Sequence, residues 1–151
     1  MAGVPLARLL AMAYRQLIDG LHARLVEHGH RDVAPSFGYV LLAVRAGPTT
    51  GADVAALLGV TKQAASKLID AMETAGYVKR APHGDDARAK QIAITAKGRK
   101  LLATVESIYR ELEDEWARVT SKRRVEALRA DLRAVIEDAH GGTLPAVRPT
   151  P

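Results

Sequence analysis

Thr50-Gly51-Ala52-Asp53-Val54-Ala55-Ala56-Leu57-Leu58-Gly59-Val60-Thr61-Lys62-Gln63-Ala64-Ala65-Ser66-Lys67-Leu68-Ile69-Asp70-Ala71-Met72-Glu73-Thr74-Ala75-Gly76 is the stretch that decides how this chain folds. Thr50 and Asp53 stand in the Ser/Thr-x-x-Asp/Glu relation of a capping box, where the hydroxyl and the acid each satisfy an otherwise unpaired N–H. The short helix through Val54, Ala55, Leu57 and Leu58 breaks at Gly59, and Thr61 caps a further helix to about Ala75, closed by Gly76. In that second helix Ala65, Leu68, Ile69, Met72 and Gly76 fall on one side at helical spacing. Lys62, Gln63, Ser66, Lys67 and Asp70 fall on the other. An amphipathic surface helix with solvated charges has the same pattern, so the neighbouring segments must separate the two readings.

Downstream, Tyr77-Val78-Lys79-Arg80 and Gln91-Ile92-Ala93-Ile94 are short β-type runs. The segment between them, Ala81 to Lys90, is polar and rich in turn formers, which predicts a hairpin with a long tip. A short helix, a glycine turn, a second helix and a basic hairpin make a winged helix-turn-helix. The charge supports it: Val60 to Lys100 holds nine basic residues against four acidic ones and so carries the whole net charge of +5. A basic excess confined to one segment is the pattern of a polyanion-binding surface. Near the start of the second helix the exposed set has an amide, a hydroxyl and two cations, groups that meet base edges and phosphates in a major groove.

Outward from this core the chain is helical, and the fold class is mainly α. Leu6, Leu10, Ala13, Leu17, Leu21 and Leu25 recur at spacings of three and four, predicting an amphipathic helix over 5–27 that Gly29 stops. Gly20 inside it costs on the order of 1 kcal/mol against alanine. Pro35 or Ser36 opens a helix carrying Phe37, Val40, Leu41 and Val44, which ends before Gly47-Pro48. Thr95 starts a long helix with Leu101, Leu102, Val105, Ile108, Leu112 and Trp116; Thr120 or Ser121 starts a last one with Val125, Leu128, Leu132, Val135 and Ile136. Gly141-Gly142 ends it. The expected organisation is a single domain over 1–151, with long helical flanks at 5–28 and 95–138, a winged helix-turn-helix lobe at 35–95 and a disordered tail at 141–151.

Composition narrows the function classes. The chain has no cysteine, which excludes disulfide scaffolds, thiolate zinc sites and thiol redox switches. No apolar run reaches the ~18 residues of a membrane span. Met1 to Leu10, with Arg8 after an apolar start, reads as the beginning of an amphipathic helix and not as a signal peptide. A cytoplasmic location is expected. No nucleophile–base–acid grouping, phosphate loop or metal motif stands out, so neither an enzyme nor a cofactor is expected. His28-x-His30 has no other grouped ligands and reads as a solvated helix end.

Thr49 to Arg99 resembles the core of the MarR family, bacterial regulators of the multiple-antibiotic-resistance type. The likeness rests on Asp53-Val54-Ala55-Ala56-Leu57-Leu58-Gly59-Val60-Thr61, on Leu68 through Tyr77-Val78, and on Asp86-Ala87-Arg88-Ala89-Lys90. It is completed by Ile94-Thr95-Ala96-Lys97-Gly98-Arg99, similar to the family's Leu-Thr-x-x-Gly-Arg passage. The order of helical flanks extends it over about 5–138. Tyr77 departs from the more usual leucine, and Gly84-Asp85 adds an acid at the tip.

The resemblance implies a sequence-specific regulator that binds a palindromic DNA operator as a homodimer, acts as a repressor, and is released by a small aromatic or phenolic effector. It implies that Arg88 is the wing arginine entering the minor groove and Asp86 the acid that holds it. The DNA-contact set is then Thr61, Lys62, Gln63, Ser66 and Lys67 from the helix, with Asp86, Arg88 and Lys90 from the wing. The flanking helices are implied to form the dimer. Candidate effector-pocket residues are Tyr14, Arg15, Phe37, Tyr39, Tyr109 and Trp116, with His22 beside them; for each, core or interface packing is the simpler account.

Overall fold

The computed structural model describes residues 3–83 and 86–147, without the side chains of 82–89. The order of elements is α1 (Leu6–Glu27), α2 (Pro35–Ala46), β1 (Thr49–Thr50), α3 (Gly51–Leu58), α4 (Lys62–Thr74), β2 (Val78–His83), β3 (Asp86–Ile94), α5 (Ala96–Val119) and α6 (Lys122–Ala139). The chain divides into two compact units, one from Met1–Arg31 and Thr104–Leu144, the other from Asp32–Ala103 with Pro145–Pro151. No helix among the described residues is long and apolar enough to cross a membrane.

The second unit is the winged helix. Helix α3 has 8 residues, too short to hold itself in water, and both of its ends are secured. At its start the Thr50 N–H donates to Asp53 Oδ2 at 2.8 Å and the Asp53 N–H donates to Thr50 Oγ1 at 3.2 Å, closing the capping box. Val54 and Ala55 are buried beneath it, and Gly59 ends it. Helix α4 presents Ala65, Ile69 and Met72 to the core, all essentially inaccessible, while Leu68 is half-buried. Phe37, Val40, Leu41 and Val44 of α2, Val78 of β2, Ile92 of β3 and Leu101 and Leu102 of α5 complete this core. Burying each large apolar side chain stabilises by about 1.5–3 kcal/mol, so this cluster outweighs any single cap.

Among the described residues the sheet is antiparallel with strand order β1-β3-β2. Thr49 pairs with Ile92, and Val78 to Pro82 pair with Ile94 to Lys90 before an irregularity between Pro82 and His83. Both long strands exceed the tetrapeptide runs expected from the sequence, and β1 was not expected at all. Ladder hydrogen bonds hold a backbone whatever its side chains, so a polar hairpin leaves little alternation to read. Pro82 sits in β2, an edge strand, where a missing N–H breaks no inner ladder. Gly84 and Asp85, expected at the tip, and 148–151 of the expected tail lie outside the described residues.

A tight junction joins the hairpin to α5. Thr95 Oγ1 donates to the Gly76 carbonyl at 2.6 Å and accepts from the Gly98 N–H at 3.0 Å, while the Thr95 N–H donates to the Tyr77 carbonyl at 3.1 Å. Gly98 is buried against that same carbonyl: a Cβ there would overlap the Tyr77 oxygen and lie 2.8 Å from Ile94 Cγ1. Tyr77 is buried edge-on to Phe37, ring centroids 6.1 Å apart, with Lys97 Nζ 4.8 Å from its centroid. Burial pushes its hydroxyl pKa above the ordinary tyrosine value, and Asp32 adds to the shift.

In the first unit, α1 and α6 are each tied to α5 by one arginine. Arg24 reaches Glu115 and, at 3.9 Å, Glu111; Arg129 reaches Glu113 at 2.8 Å. Partly exposed pairs of this kind contribute about 0–1 kcal/mol each. Leu21, Leu25, Ile108 and Leu112 are buried and carry more. Gly20 is where α1 and α5 meet, since a Cβ there would lie 2.8 Å from Leu112 Cδ2. The glycine that local propensity marks as a cost is a contact point. Ser121 caps α6 by accepting from the Arg124 N–H at 3.1 Å.

Gly98→Ala is expected to destabilise the protein by about 3 kcal/mol, because overpacking against a backbone carbonyl outweighs the ~1 kcal/mol of helix propensity gained. Urea denaturation followed by circular dichroism checks this, and a stabilised variant would contradict the packing described.

Candidate nucleic-acid interface

Within the second unit, α4 has one face to spare. Ala65, Ile69 and Met72 hold it to the core from one side, and Thr61, Lys62, Gln63, Ser66 and Lys67 are exposed along its first two turns. Thr61 sets the start of the helix: its Oγ1 accepts from the Ala64 N–H at 3.1 Å. No ion pair to Lys62 or Lys67 forms among the described residues.

A cleft of about 410 Å³ opens beside this face. Lys62 and Ser66 line it from α4, Arg80 from β2 and Lys90 from β3, with Thr50 and Gly51 at the start of α3. The structure thus brings Lys62, Ser66 and Lys90 of the expected contact set to one place. Asp86 and Arg88 fall on β3, not on a loop. Their side chains, and with them the expected contact between this acid and this arginine, lie outside the described residues.

Two of the nine basic residues serve the fold. Arg80 Nη1 donates to Asp70 Oδ1 at 2.5 Å and Glu73 Oε1 at 3.3 Å, and its backbone N–H donates to Glu73 Oε2 at 3.0 Å. Lys97 Nζ donates to the Ala75 carbonyl at 2.6 Å. Asp70, expected on the outward face with the DNA-contact groups, is exposed but engaged by Arg80. The signal was present in the sequence as two acids, Asp70 and Glu73, in the midst of a basic segment.

The aromatic candidates do not gather in one unit. Tyr14 and Trp116 line an apolar groove of about 570 Å³ in the first unit, with Leu9, Leu10, Leu17, Leu128 and Leu132 and the Glu113–Arg129 pair. Tyr109, on α5, is half-buried in that unit, and Arg15 is exposed with Asp19 at 3.5 Å. Phe37 belongs to the core of the second unit, and Tyr39 is half-buried on α2. His28 is exposed at the end of α1; among the described residues no group of three or more metal-ligating side chains occurs.

A model of the MarR family matches residues 34–89, from the start of α2 through the first part of β3. Over these residues the chain is similar to the MarR family. The matched segment contains α3, α4 and most of the hairpin, and with them the exposed face just described. No curated protein matches the chain. A mutant of MarR from E. coli superposes with a TM-score of 0.74 at 23% identity, covering 89% of this chain and 98% of that one. The transcriptional regulator Tm0710 from Thermotoga maritima gives 0.73 at 22% identity over 92% and 99% of the two chains. A MepR mutant from S. aureus bound to an oligodeoxyribonucleotide gives 0.65 at 23% identity over 91% and 99%. At these identities the likeness is one of fold, and it extends over both units.

Thr61→Ala is expected to cost about 1 kcal/mol of stability, since the Ala64 N–H loses its acceptor at the start of α4. Equilibrium denaturation measures it; a cost near zero would mean that Thr61 does not fix this terminus.

Proposed function

We propose that the chain is a sequence-specific DNA-binding transcriptional regulator, and not an enzyme, that acts as a homodimer on a palindromic operator. The observation that carries this is the exposed first two turns of α4, polar and cationic, beside Lys90 of the hairpin in one compact unit. Gln63 and Ser66 offer donors and acceptors for base edges, and Lys62 and Lys67 offer charge for phosphates. Arg88, on the matched family segment, is assigned to the minor groove, where a narrow electronegative channel suits a guanidinium, with Asp86 as its restraint. The MepR structure with an oligodeoxyribonucleotide has the same fold, which supports the assignment.

The dimer is supported by apolar residues that the first unit leaves exposed: Leu6 and Val135 at 69% and Leu9 at 48%. Apolar side chains left exposed on α1 and α6 mark an interaction site, and a second copy is the occupant. Two-fold symmetry then presents two α4 helices to one face of the duplex and calls for a palindromic site. Repression follows from occupancy, because a dimer seated across a promoter needs no further contact to exclude other proteins. A second copy closing over the groove of Tyr14 and Trp116 would enclose an apolar pocket, and a small aromatic molecule is the effector class that fits it.

Binding to genomic fragments selected by the purified protein, measured against random competitor DNA over a salt series, tests the reading. Arg88→Ala is expected to weaken binding to the selected site by roughly tenfold or more with the fold intact. Lys67→Ala is expected to lower the slope of log K against log salt by about 0.9, one phosphate contact. Unchanged affinity in the first variant would remove the wing assignment, and an absence of preference in the wild type would remove sequence specificity. Sedimentation at micromolar concentration is expected to give a dimer; a monomer would overturn that part of the proposal.

A further inference from the structure

We propose that Arg80 is a positioning residue, a strut that fixes the wing against α4 and so sets where the two DNA-contacting elements stand relative to each other. The inference rests on the DNA-binding reading for its consequence, but its geometry stands alone. Arg80 lies on β2, paired with Ile92 of β3, and among the described residues the polar contacts of its side chain all go to α4. Nη1 donates to Asp70 and Glu73, and Nη2 faces the Ser66 carbonyl at 3.3 Å and Ser66 Oγ at 3.4 Å. Residues 66, 70 and 73 form one stripe along the helix, so a single guanidinium braces two successive turns. The Arg80 backbone N–H adds a further bond, to Glu73 Oε2. The Arg80 side chain is 23% exposed, while Asp70 keeps 62% and Glu73 42%.

Two physical consequences separate a strut from a phosphate ligand. One cation between two carboxylates leaves a local net charge of −1, which repels a phosphate oxygen, so Arg80 contributes no counterion release. The cationic tract of α4 therefore ends after Lys67, and the acids that hold Arg80 mark its boundary. A planar fork with separate donors also reaches three acceptor residues at once, whereas an ammonium is a point charge. Charge alone does not replace it. Ser66 Oγ, facing Nη2, is left with its hydroxyl hydrogen to donate, which links the strut to one of the base-facing groups.

The test uses the full chain with Arg80→Met and Arg80→Lys, each confirmed as folded by circular dichroism and thermal melting. Because the chain has no cysteine, spin labels can be placed at Ala64→Cys on α4 and Lys90→Cys on β3 without background. A narrow distance distribution in the parent protein that broadens or shifts in both variants supports the strut, with no DNA present. An unchanged distribution in either folded variant overturns it. On DNA, both variants are expected to bind the selected site roughly tenfold more weakly, the scale of one lost base contact, with an unchanged salt slope. A slope lowered by about 0.9 in Arg80→Met would instead make Arg80 a phosphate ligand and overturn the proposal. Wild-type protein without preference for any DNA would refute the functional reading, while the label distances would still decide the strut.

Discussion

A helix that offers one face to a partner must be held entirely from the other, and most of the second unit follows from meeting that condition for α4. Ala65, Ile69 and Met72 do the holding, at spacings of four and three that keep them on one side. Their burial, with α4 packed on α3 and β2, leaves the opposite face of the first two turns free of any packing duty. The small side chain of Ala65 lets the helix approach closely near its N-terminal end, where the polar face is. Thr61 then fixes where the helix begins, and so which residues belong to that face. Any loss of the apolar stripe would rotate or free the helix before it touched Lys62 or Gln63.

Charge is partitioned at shorter range than composition suggests. The segment from Val60 to Lys100 carries the whole excess, yet along α4 itself cations precede anions: Lys62 and Lys67, then Asp70 and Glu73. This order opposes the helix dipole, which favours acids at the start and bases at the end. The arrangement costs a few tenths of a kcal/mol per charge at an exposed terminus. Arg80 offsets part of it from outside the helix. Such a compensation is what placing cations on the binding end of a helix requires.

Helix boundaries were legible in the sequence because they depend on local chemistry. The Thr50–Asp53 box, the Thr61 cap and Ser121 each act within one turn, and their residues stand next to one another in the chain. The extent of the strands was not legible, because ladder bonds pair Val78 with Ile94 across the hairpin and are indifferent to side-chain polarity. Strand β1 is two residues, with Thr49 buried and its Oγ1 donating to the Gly47 carbonyl at 2.9 Å, and no pattern survives at that length. In the candidate site, Lys62, Gln63, Ser66 and Lys67 were readable from helical periodicity. The occupations of Arg80 and Lys97 were not, since a cation's partner is decided by which chain segments fold together. Gly20 and Gly98 illustrate the same divide: local propensity counts them as weak points, and tertiary contact makes them necessary.

The two borders of the small sheet have a bearing on how the protein behaves at high concentration. The edge of a small sheet is a template on which a foreign strand can align and seed aggregates. Here one border is the two residues of β1, too short to align anything, and the other is β2, interrupted by Pro82. The Arg80 N–H, which could have bonded a stranger, is taken by Glu73. The hairpin is thereby guarded by its own backbone against pairing with a foreign strand.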